Sequence, residues 1–340
     1  MTTKVAIVGV TGYAGGELAR LLLRHPHARI VAAVARSHQG EPLRTVQPHL
    51  HDAPESLVVG SDVGDAEVVF TALPAGEAAK QAPRWLADGR RIVDIGSDFR
   101  LKDPAAYPAW YGYTHPAPEL LAESVYGLTE LARAALPTAR IVANPGCYPT
   151  ASLLALAPAA ARGLIGPDVI VDAKSGVSGA GRVVDDGFLY GTVDGSVRAY
   201  GVPKHRHTPE IAQELAALGG GRPRLTFTPH LVPMTRGLIA TCYAELQDGV
   251  TASQVSVAYA THYAGEPFVR VTSSFPPTKA TLGSNWCLVH AVVDLDNRRL
   301  VAIGVLDNLV KGAAGQAVQN FNVLCGRPET EGLEAMPLWP

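Results

Sequence analysis

The sequence carries almost no excess of charge of either sign, because its 340 residues include 29 Lys and Arg against 31 Asp and Glu. Nucleic-acid-binding proteins usually have a strong basic excess, so this balance argues against a nucleic-acid partner. Long apolar runs are also missing. The longest, such as 151–161, are too short to cross a bilayer, and the first ten residues lack the apolar core and cleavage site of a signal peptide. We therefore expect a cytoplasmic protein with no membrane partner.

Cysteine is scarce as well, since the chain has only Cys147, Cys242, Cys287 and Cys325, with no C-x-x-C motif. So few cysteines in so long a chain exclude a disulfide scaffold, and a zinc site would lack its pair of thiolates. We expect reduced thiols and no metal. What the chain does have is 47% hydrophobic and 18% charged residues, which excludes intrinsic disorder and supplies the core of one large or two ordinary domains.

The first 35 residues have the pattern of a βαβ unit. The apolar run 4–10 predicts a strand buried on both faces, 17–24 has helical spacing, and 29–34 predicts a second strand. Glycines in the turn after the first strand let the backbone approach a pyrophosphate, which the helix N-terminus favours. A structural tight turn is the alternative. We favour dinucleotide binding, with the contact residues Gly9, Thr11, Gly12, Tyr13, Ala14 and Gly15.

The end of the second strand bears on which dinucleotide binds. NAD enzymes usually carry an Asp or Glu there, which accepts a hydrogen bond from the ribose 2′-hydroxyl. This chain has Ala35-Arg36-Ser37-His38 instead. Arg36 and Ser37 suit a 2′-phosphate, which favours NADP(H), although Arg36 as a solvated loop charge is the plainer interpretation.

Two further strands are predicted at 66–73 and 91–96, with a helix at 77–86 between them. Strands that alternate with helices predict a parallel sheet with ligands at the carboxyl ends of its strands. The loops 73–76 and 96–100 are therefore candidate ligand loops, with Pro74 and Ser97 as cofactor residues and Arg100 as a substrate residue. Asp98 and Arg100 pairing only with each other is the alternative. The aromatic, proline-rich segment 107–118 has no periodicity and predicts a loop over the surface or the cleft.

Cys147 is the candidate nucleophile. It follows a short strand at 140–143 and stands just before the helical pattern 151–161, in the segment Asn-Pro-Gly-Cys-Tyr-Pro-Thr. A helix N-terminus favours thiolate over thiol, and a thiolate is a nucleophile at neutral pH. The other three cysteines lie in strand-like or helical runs and are expected to be packed hydrophobes.

After Cys147 the pattern changes to strands with few helices between them, at 168–174, 224–229, 237–246 and 286–295. This predicts a second, mostly antiparallel sheet. The basic segment 204–207, Lys-His-Arg-His, precedes an apparent helix that begins at Pro209. Its positive charges suit an anionic substrate. His207 is our candidate acid/base, because imidazole titrates near pH 7. His205 and His230 are its rivals, and a solvated basic loop is the plain alternative.

These motifs together resemble the N-acetyl-gamma-glutamyl-phosphate reductase family, within the superfamily of aspartate-semialdehyde and glyceraldehyde-3-phosphate dehydrogenases. The resemblance covers residues 4 to about 333. It rests on the glycine-rich turn, on the segment around Cys147, and on four further segments: DIGSDFRL (94–101), SGVSGAGR (175–182), HRHTPEI (205–211) and DNLVKGAAGQAVQNFN (307–322).

The resemblance implies an architecture: a Rossmann dinucleotide-binding domain, 1–148 with 311–340, and a mostly antiparallel substrate and oligomerisation domain, 149–310. It implies a homodimer or homotetramer. It also places 204–207 in the active site, with His205, Arg206 and Tyr200 as candidate substrate residues, and puts Ser178, Gly179 and Asn308 near the nicotinamide.

The implied reaction is the NADPH-dependent reduction of N-acetylglutamyl 5-phosphate, a small anionic acyl phosphate, through a Cys147 thioester in arginine biosynthesis. Two alternatives remain open. One is a reductase of carrier-protein-linked aminoadipyl phosphate in lysine biosynthesis, and the other is a non-catalytic NADP-binding regulator.

Overall fold

The structure, a computed structural model, describes residues 2–182, 184–219 and 221–339. The chain forms two compact units. The first consists of Met1–Pro145 and Ala313–Ala335, and the second of Gly146–Gly312 and Met336–Pro340. Among the described residues, every helix is too short or too polar to span a membrane.

The first unit is built on a seven-stranded sheet in which every neighbouring pair runs parallel. Its order is β3-β2-β1-β4-β5-β7-β6. The strands are β1 (Thr3–Val8), β2 (Ala28–Val34), β3 (Val59–Gly60), β4 (Val68–Thr71), β5 (Arg91–Asp94), β6 (Ser124–Tyr126) and β7 (Ile141–Ala143). The helices are α1 (Tyr13–Leu22), α2 (Leu43–Val46), α3 (Glu77–Ala87), α4 (Ala106–Tyr111) and α5 (Thr129–Ala132), with 3₁₀ turns at Pro118–Leu121 and Leu136–Thr138.

Burial explains why the apolar runs form central strands. All four residues of β4 are buried, as are the last four of β1, so neither strand alternates between core and solvent. Such strands suit a sheet covered by helices on both faces. The predicted parallel α/β domain is confirmed.

The segment 107–118 was predicted as an irregular loop over the surface or the cleft. That prediction was wrong for residues 107–111, which belong to the helix α4. Tyr107 is fully buried, and its hydroxyl donates to the Asp98 carbonyl at 2.6 Å. Its ring lies 5.3 Å from that of Tyr111 and 4.7 Å from that of His115, centroid to centroid. Aromatic packing thus overrides the weak helix propensity of a proline-containing segment.

The second unit contains a seven-stranded mixed sheet of order β12-β13-β14-β11-β8-β10-β9. Its neighbouring pairs are antiparallel except β12–β13 and β8–β10, which confirms the predicted mostly antiparallel sheet. The strands are β8 (Ile165–Gly176), β9 (Arg198–Ala199), β10 (Arg224–Val232), β11 (Leu238–Leu246), β12 (Val269–Val271), β13 (Cys287–Asp294) and β14 (Arg299–Leu306). The helices are α6 (Cys147–Ala161), α7 (Tyr190–Val193), α8 (Thr208–Gly219) and α9 (Ala252–His262), with 3₁₀ turns at Val177–Ala180, Asp186–Phe188 and Thr278–Thr281.

One face of this sheet packs on helices α6, α8 and α9. Along β8 the side chains alternate: Val169, Val171 and Ala173 are buried, whereas Ile170 and Asp172 lie on the opposite, partly exposed face. Helix α6 is buried almost throughout, as expected of a helix that is apolar on all sides.

The chain then passes through a π-helical segment, Val310–Ala314, into the last helix, α10 (Gly315–Leu324), which belongs to the first unit. There α10 packs against α1, and Phe321 is fully buried. The first unit is therefore assembled from two separate segments of the chain, 1–145 and 313–335.

Candidate active site

Two glycines of the glycine-rich turn, Gly9 and Gly15, are required by close packing of the chain's own backbone. Gly9 has a φ of +98°, and a Cβ there would lie 2.3 Å from the Ala72 carbonyl oxygen. A Cβ at Gly15 would lie 2.2 Å from the Gly9 carbonyl oxygen. Gly12, the N-cap of α1, provides no side-chain cap, and the first turn of this described helix has no acidic residue. The amide groups and the positive dipole end of α1 therefore suit an anion such as a pyrophosphate, with Thr11, Tyr13 and Ala14 in the same turn.

Arg36 and Ser37 follow β2 and are exposed. The Arg36 guanidinium pairs with the carboxylate of Glu77, the first residue of α3. The Arg36 side chain is 88% exposed, and a solvent-exposed ion pair contributes at most about 1 kcal/mol. If Arg36 left Glu77 to bind a phosphate, the free energy lost with this ion pair would therefore be small.

The two loops predicted to hold ligands are tied together by Asp98. Its carboxylate accepts hydrogen bonds from the amides of Gly76 (2.7 Å) and Ala79 (2.9 Å), so it joins the loop after β5 to the start of α3. Asp94 is the last residue of β5. Its burial and, to a smaller extent, the charge of the nearby Asp98 raise the pKa of Asp94 to about 7. Ser97 is buried in its loop, and Pro74 is exposed in the other.

Arg100 is buried, and its guanidinium donates to the carbonyls of Asn144 (2.9 Å) and Ile95 (2.8 Å). These bonds hold the backbone after β5 to the backbone after β7, inside the first unit. A substrate role for Arg100 stays a prediction.

A cavity of about 180 Å³ in the second unit gathers most of the remaining candidates. Its lining includes the proposed nucleophile, both histidines of the basic segment and the loop after β8. The lining residues are Cys147, Tyr148, Ser175, Gly176, Gly179, Ala180, Phe188, Arg198, Tyr200, His205, Arg206, His207 and Leu231.

Cys147 enters this cavity as the first residue of α6, directly after the N-cap Gly146. It is partly exposed, whereas Cys242 and Cys287 are buried. Burial raises the pKa of Cys242 to about 12 and also raises that of Cys325. Among the four thiols, Cys147 alone combines a helix start with a place in this cavity.

His207 lies in the cavity wall, immediately before α8 begins at Thr208, and is buried. Its ring centroid is 4.8 Å from that of His205 and 5.9 Å from that of Tyr148. Burial, and secondly the charge of Arg206, lower the pKa of His205 to about 4. His205 is therefore neutral at pH 7, which makes it a poor proton donor there and leaves His207 as the better candidate.

His230, the other rival, lies on β10, and the lining of the described cavity does not include it. Its Nδ1 is 3.1 Å from the Asp172 carboxylate, which also pairs with Lys174 at 2.7 Å. His230 is linked to the cavity through Tyr148. Tyr148 lines the cavity, and its hydroxyl donates to the His230 backbone carbonyl at 3.0 Å. The Tyr200 hydroxyl lies 3.3 Å from that of Tyr148.

Two arginines line the cavity, Arg206 and Arg198. Among the described residues, neither is paired with a carboxylate. The Arg198 guanidinium donates to the Gly187 carbonyl at 3.1 Å and lies 5.8 Å from the centre of the Phe188 ring. Two positive groups without an acidic partner suit a substrate with two anionic ends.

Three residues were predicted to lie near the nicotinamide: Ser178, Gly179 and Asn308. All three belong to the second unit. Asn308 is buried, its side-chain amide donates to the Ser178 hydroxyl at 2.9 Å, and its oxygen accepts from the Gly237 amide at 2.8 Å. A Cβ at Gly179 would lie 2.9 Å from the Ser175 Oγ, so this loop is closely packed.

Comparison with known proteins decides the family. The semialdehyde dehydrogenase NAD binding domain matches residues 4–139, and the semialdehyde dehydrogenase dimerisation domain matches residues 147–308. A Dehalococcoides mccartyi N-acetyl-gamma-glutamyl-phosphate reductase is 51% identical over 338 residues, with 99% of each chain covered. The Heliobacterium modesticaldum protein of the same name is 48% identical over 349 residues, again with 99% of each covered. The chain belongs to the N-acetyl-gamma-glutamyl-phosphate reductase family.

Membership of this family confirms the resemblance seen in the motifs, and it makes the chain an oxidoreductase whose first unit is a nicotinamide-dinucleotide-binding domain. Solved structures agree on the fold. Aspartate semialdehyde dehydrogenase II of Vibrio cholerae has a TM-score of 0.73 at 18% identity, covering 96% of this chain and 99% of that one. The aspartate semialdehyde dehydrogenase with NADP from Candida albicans has a TM-score of 0.68 at 14% identity, with 96% and 99% covered.

Within this N-acetyl-gamma-glutamyl-phosphate reductase scaffold, sequence reasoning missed three residues in or beside the candidate site. Arg198 lines the cavity, Gly312 packs on Cys147, and the Glu210 carboxylate accepts from the Gly146 amide. A Cβ at Gly312 would lie 2.7 Å from the Cβ of Cys147, so its backbone packs directly on the nucleophile. Gly312 and Glu210 both stand inside segments that carried the family resemblance, and this was the available signal. Arg198 stands outside all of them.

Proposed function

We propose that this protein reduces N-acetyl-L-glutamyl 5-phosphate to N-acetyl-L-glutamate 5-semialdehyde and phosphate, with NADPH, in arginine biosynthesis. One observation carries the proposal: a cysteine at a helix start, a buried histidine and two arginines that pair with no carboxylate of the described residues line a single cavity. The names of the relatives point to the same substrate.

The chemistry follows from these groups. The Cys147 thiolate attacks the acyl carbon, the carbon–oxygen bond to phosphate breaks, and a thioester remains on Cys147. NADPH, when bound, supplies the hydride that reduces the thioester carbon. His207 holds a proton on the resulting oxygen and takes it back as the carbon–sulfur bond breaks, which releases the semialdehyde and restores the thiolate. Arg198 and Arg206 bind the carboxylate and phosphate ends of the substrate, with Tyr200 and His205 completing the cavity wall.

We assign the parts of the reaction to two domains, 1–148 with 311–340 for NADP(H) and 149–310 for the substrate and a second subunit. The pyrophosphate is held by the turn residues Gly9, Thr11, Gly12, Tyr13, Ala14 and Gly15. Arg36 and Ser37 hold the 2′-phosphate, and Pro74 and Ser97 line the cofactor. Its nicotinamide end is contacted by Ser178, Gly179 and Asn308. The partly exposed face of the second sheet, which carries Ile170, suits the homodimer or homotetramer that a dimerisation domain implies.

The substrate is tested by steady-state assays of the purified enzyme with N-acetylglutamyl phosphate and with carrier-protein-linked aminoadipyl phosphate. We expect turnover of the first, with a kcat/KM at least about 100-fold above that for the second. A preference for the carrier-linked compound would contradict the proposed substrate and indicate a function in lysine biosynthesis. Absence of turnover with both, with NADPH bound, would favour the non-catalytic regulator.

The cofactor preference is tested at Arg36. Arg36→Ala should lower kcat/KM for NADPH about 10- to 100-fold, because a charge-assisted contact to the 2′-phosphate is lost. The value for NADH, which lacks this phosphate, should change less than about threefold.

Arg44→Ala, which removes another exposed, ion-paired arginine of the first unit, is the matched control and should alter neither value. A wild-type enzyme that prefers NADH would contradict the assignment of NADP(H), and equal losses for both cofactors in Arg36→Ala would contradict the contact.

A further inference from the structure

Glu210 is a carboxylate that the mechanism above does not use, although it lies next to the start of α6, where Cys147 stands. It is fully buried and stands in the first turn of α8, three residues after His207. A buried carboxylate is costly to desolvate and persists in a fold only where hydrogen bonds and favourable charges compensate for it. The positive end of α8 provides one such compensation.

The second compensation is a hydrogen bond to the nucleophile's own turn. The Glu210 Oε1 accepts from the backbone amide of Gly146 at 2.8 Å. Gly146 is buried and is the N-cap of α6, the residue directly before Cys147. Its amide precedes the helix and cannot bond within it, so Glu210 supplies the acceptor that the helix does not.

This bond joins the starts of two helices that pack against each other, α6 and α8. One begins with Cys147, and the other begins directly after His207. A shift at either helix start would change the distance between the thiol and the imidazole, and misplacement of reacting groups by about 1 Å costs on the order of 100-fold in rate.

We propose that Glu210 is a positioning residue, whose carboxylate fixes the Gly146 amide and thereby holds Cys147 and His207 in register. It touches neither substrate nor cofactor in this role. The inference rests on the proposed function, because it takes Cys147 and His207 as the reacting pair.

The test compares Glu210→Leu, which removes the acceptor at similar size, with Glu210→Gln, which keeps an acceptor oxygen without the charge. We expect kcat with N-acetylglutamyl phosphate to fall about 10- to 100-fold in Glu210→Leu, with both KM values within about threefold of wild type. Glu210→Gln should recover kcat to within about fivefold of wild type. Glu214→Leu, four residues along the same helix, is the matched control and should keep the wild-type kcat.

A second readout does not depend on the substrate. The rate of Cys147 alkylation by iodoacetamide, measured on samples shown to be folded by their melting temperature and corrected with Cys147→Ser, should change at least about threefold in Glu210→Leu and little in Glu210→Gln. If wild type fails to turn over the substrate while the alkylation rates behave as expected, the proposed function fails and the positioning role stands.

Three outcomes would overturn the positioning role. A wild-type kcat and alkylation rate in folded Glu210→Leu would show that the bond fixes nothing. Losses that only follow the unfolded fraction would make Glu210 a stability residue. Equal losses in Glu210→Gln and Glu210→Leu would mean that the charge, and not the accepted hydrogen bond, is what matters.

Discussion

Replacement of Cys147 with serine is expected to abolish turnover, by about 10⁴-fold or more, while NADPH still binds with a dissociation constant within about threefold of wild type. Serine has nearly the same size and keeps the start of α6, so the fold and the melting temperature should be retained. Its hydroxyl stays protonated at neutral pH, however, and no thioester can form. Steady-state rates and titration of bound NADPH by fluorescence measure the two effects separately.

The matched control is Cys325→Ser, which removes the other partly exposed thiol and should leave kcat unchanged. Iodoacetamide adds a test that needs no substrate. At pH 6 it should label Cys147 and spare Cys325, because burial raises the pKa of the Cys325 thiol. An unreactive Cys147, or full activity in Cys147→Ser, would refute the thioester route and favour a protein that binds NADP without catalysis.

Local sequence predicted five strands of the first unit because a short apolar run rich in β-branched residues is a local signal for a buried strand. The strands become buried only when distant strands pair with them, as β1 pairs with β4. The run at 66–73 contains β4, and the run at 91–96 contains β5. The place of Cys147 near a helix start could also be predicted, because Pro149 suits the first turn of the helical pattern that follows. Periodicity failed to predict α4, where the deciding factor is the packing of Tyr107 against the neighbouring rings of Tyr111 and His115.

The part of the site that could not be predicted depends on pairing between distant segments. Arg198 lies on a strand of only two residues, β9, which the sequence does not mark as a strand. It reaches the cavity because Ala199 pairs with His230 and Arg198 with Leu231 on β10, about thirty residues away. Glu210 stood in a recognised motif, yet its role depends on a bond to an amide 64 residues earlier. The types of residue near the cavity could be predicted from the sequence, whereas the contacts among them are known only from the folded structure.

The second large effect is expected at His207. His207→Asn should lower kcat by about 10² to 10⁴-fold, the usual contribution of a general acid–base, with small changes in KM. Asparagine can still donate a hydrogen bond in the cavity, but it cannot accept and return a proton. The pH profile of kcat should therefore lose the ionisation that belongs to the imidazole, and Cys147 should remain open to alkylation.

His205→Asn and His230→Asn separate the three histidines. His205 is already neutral at pH 7, since burial lowers its pKa to about 4, and its loss should cost less than about tenfold. His230→Asn removes the imidazole that pairs with Asp172 but keeps the backbone carbonyl that accepts from Tyr148, so kcat should stay within about threefold. If His207→Asn retains the wild-type rate and His230→Asn loses it, the proton transfer belongs to His230, and the cavity that gathers Cys147 and His207 is not where the proton moves.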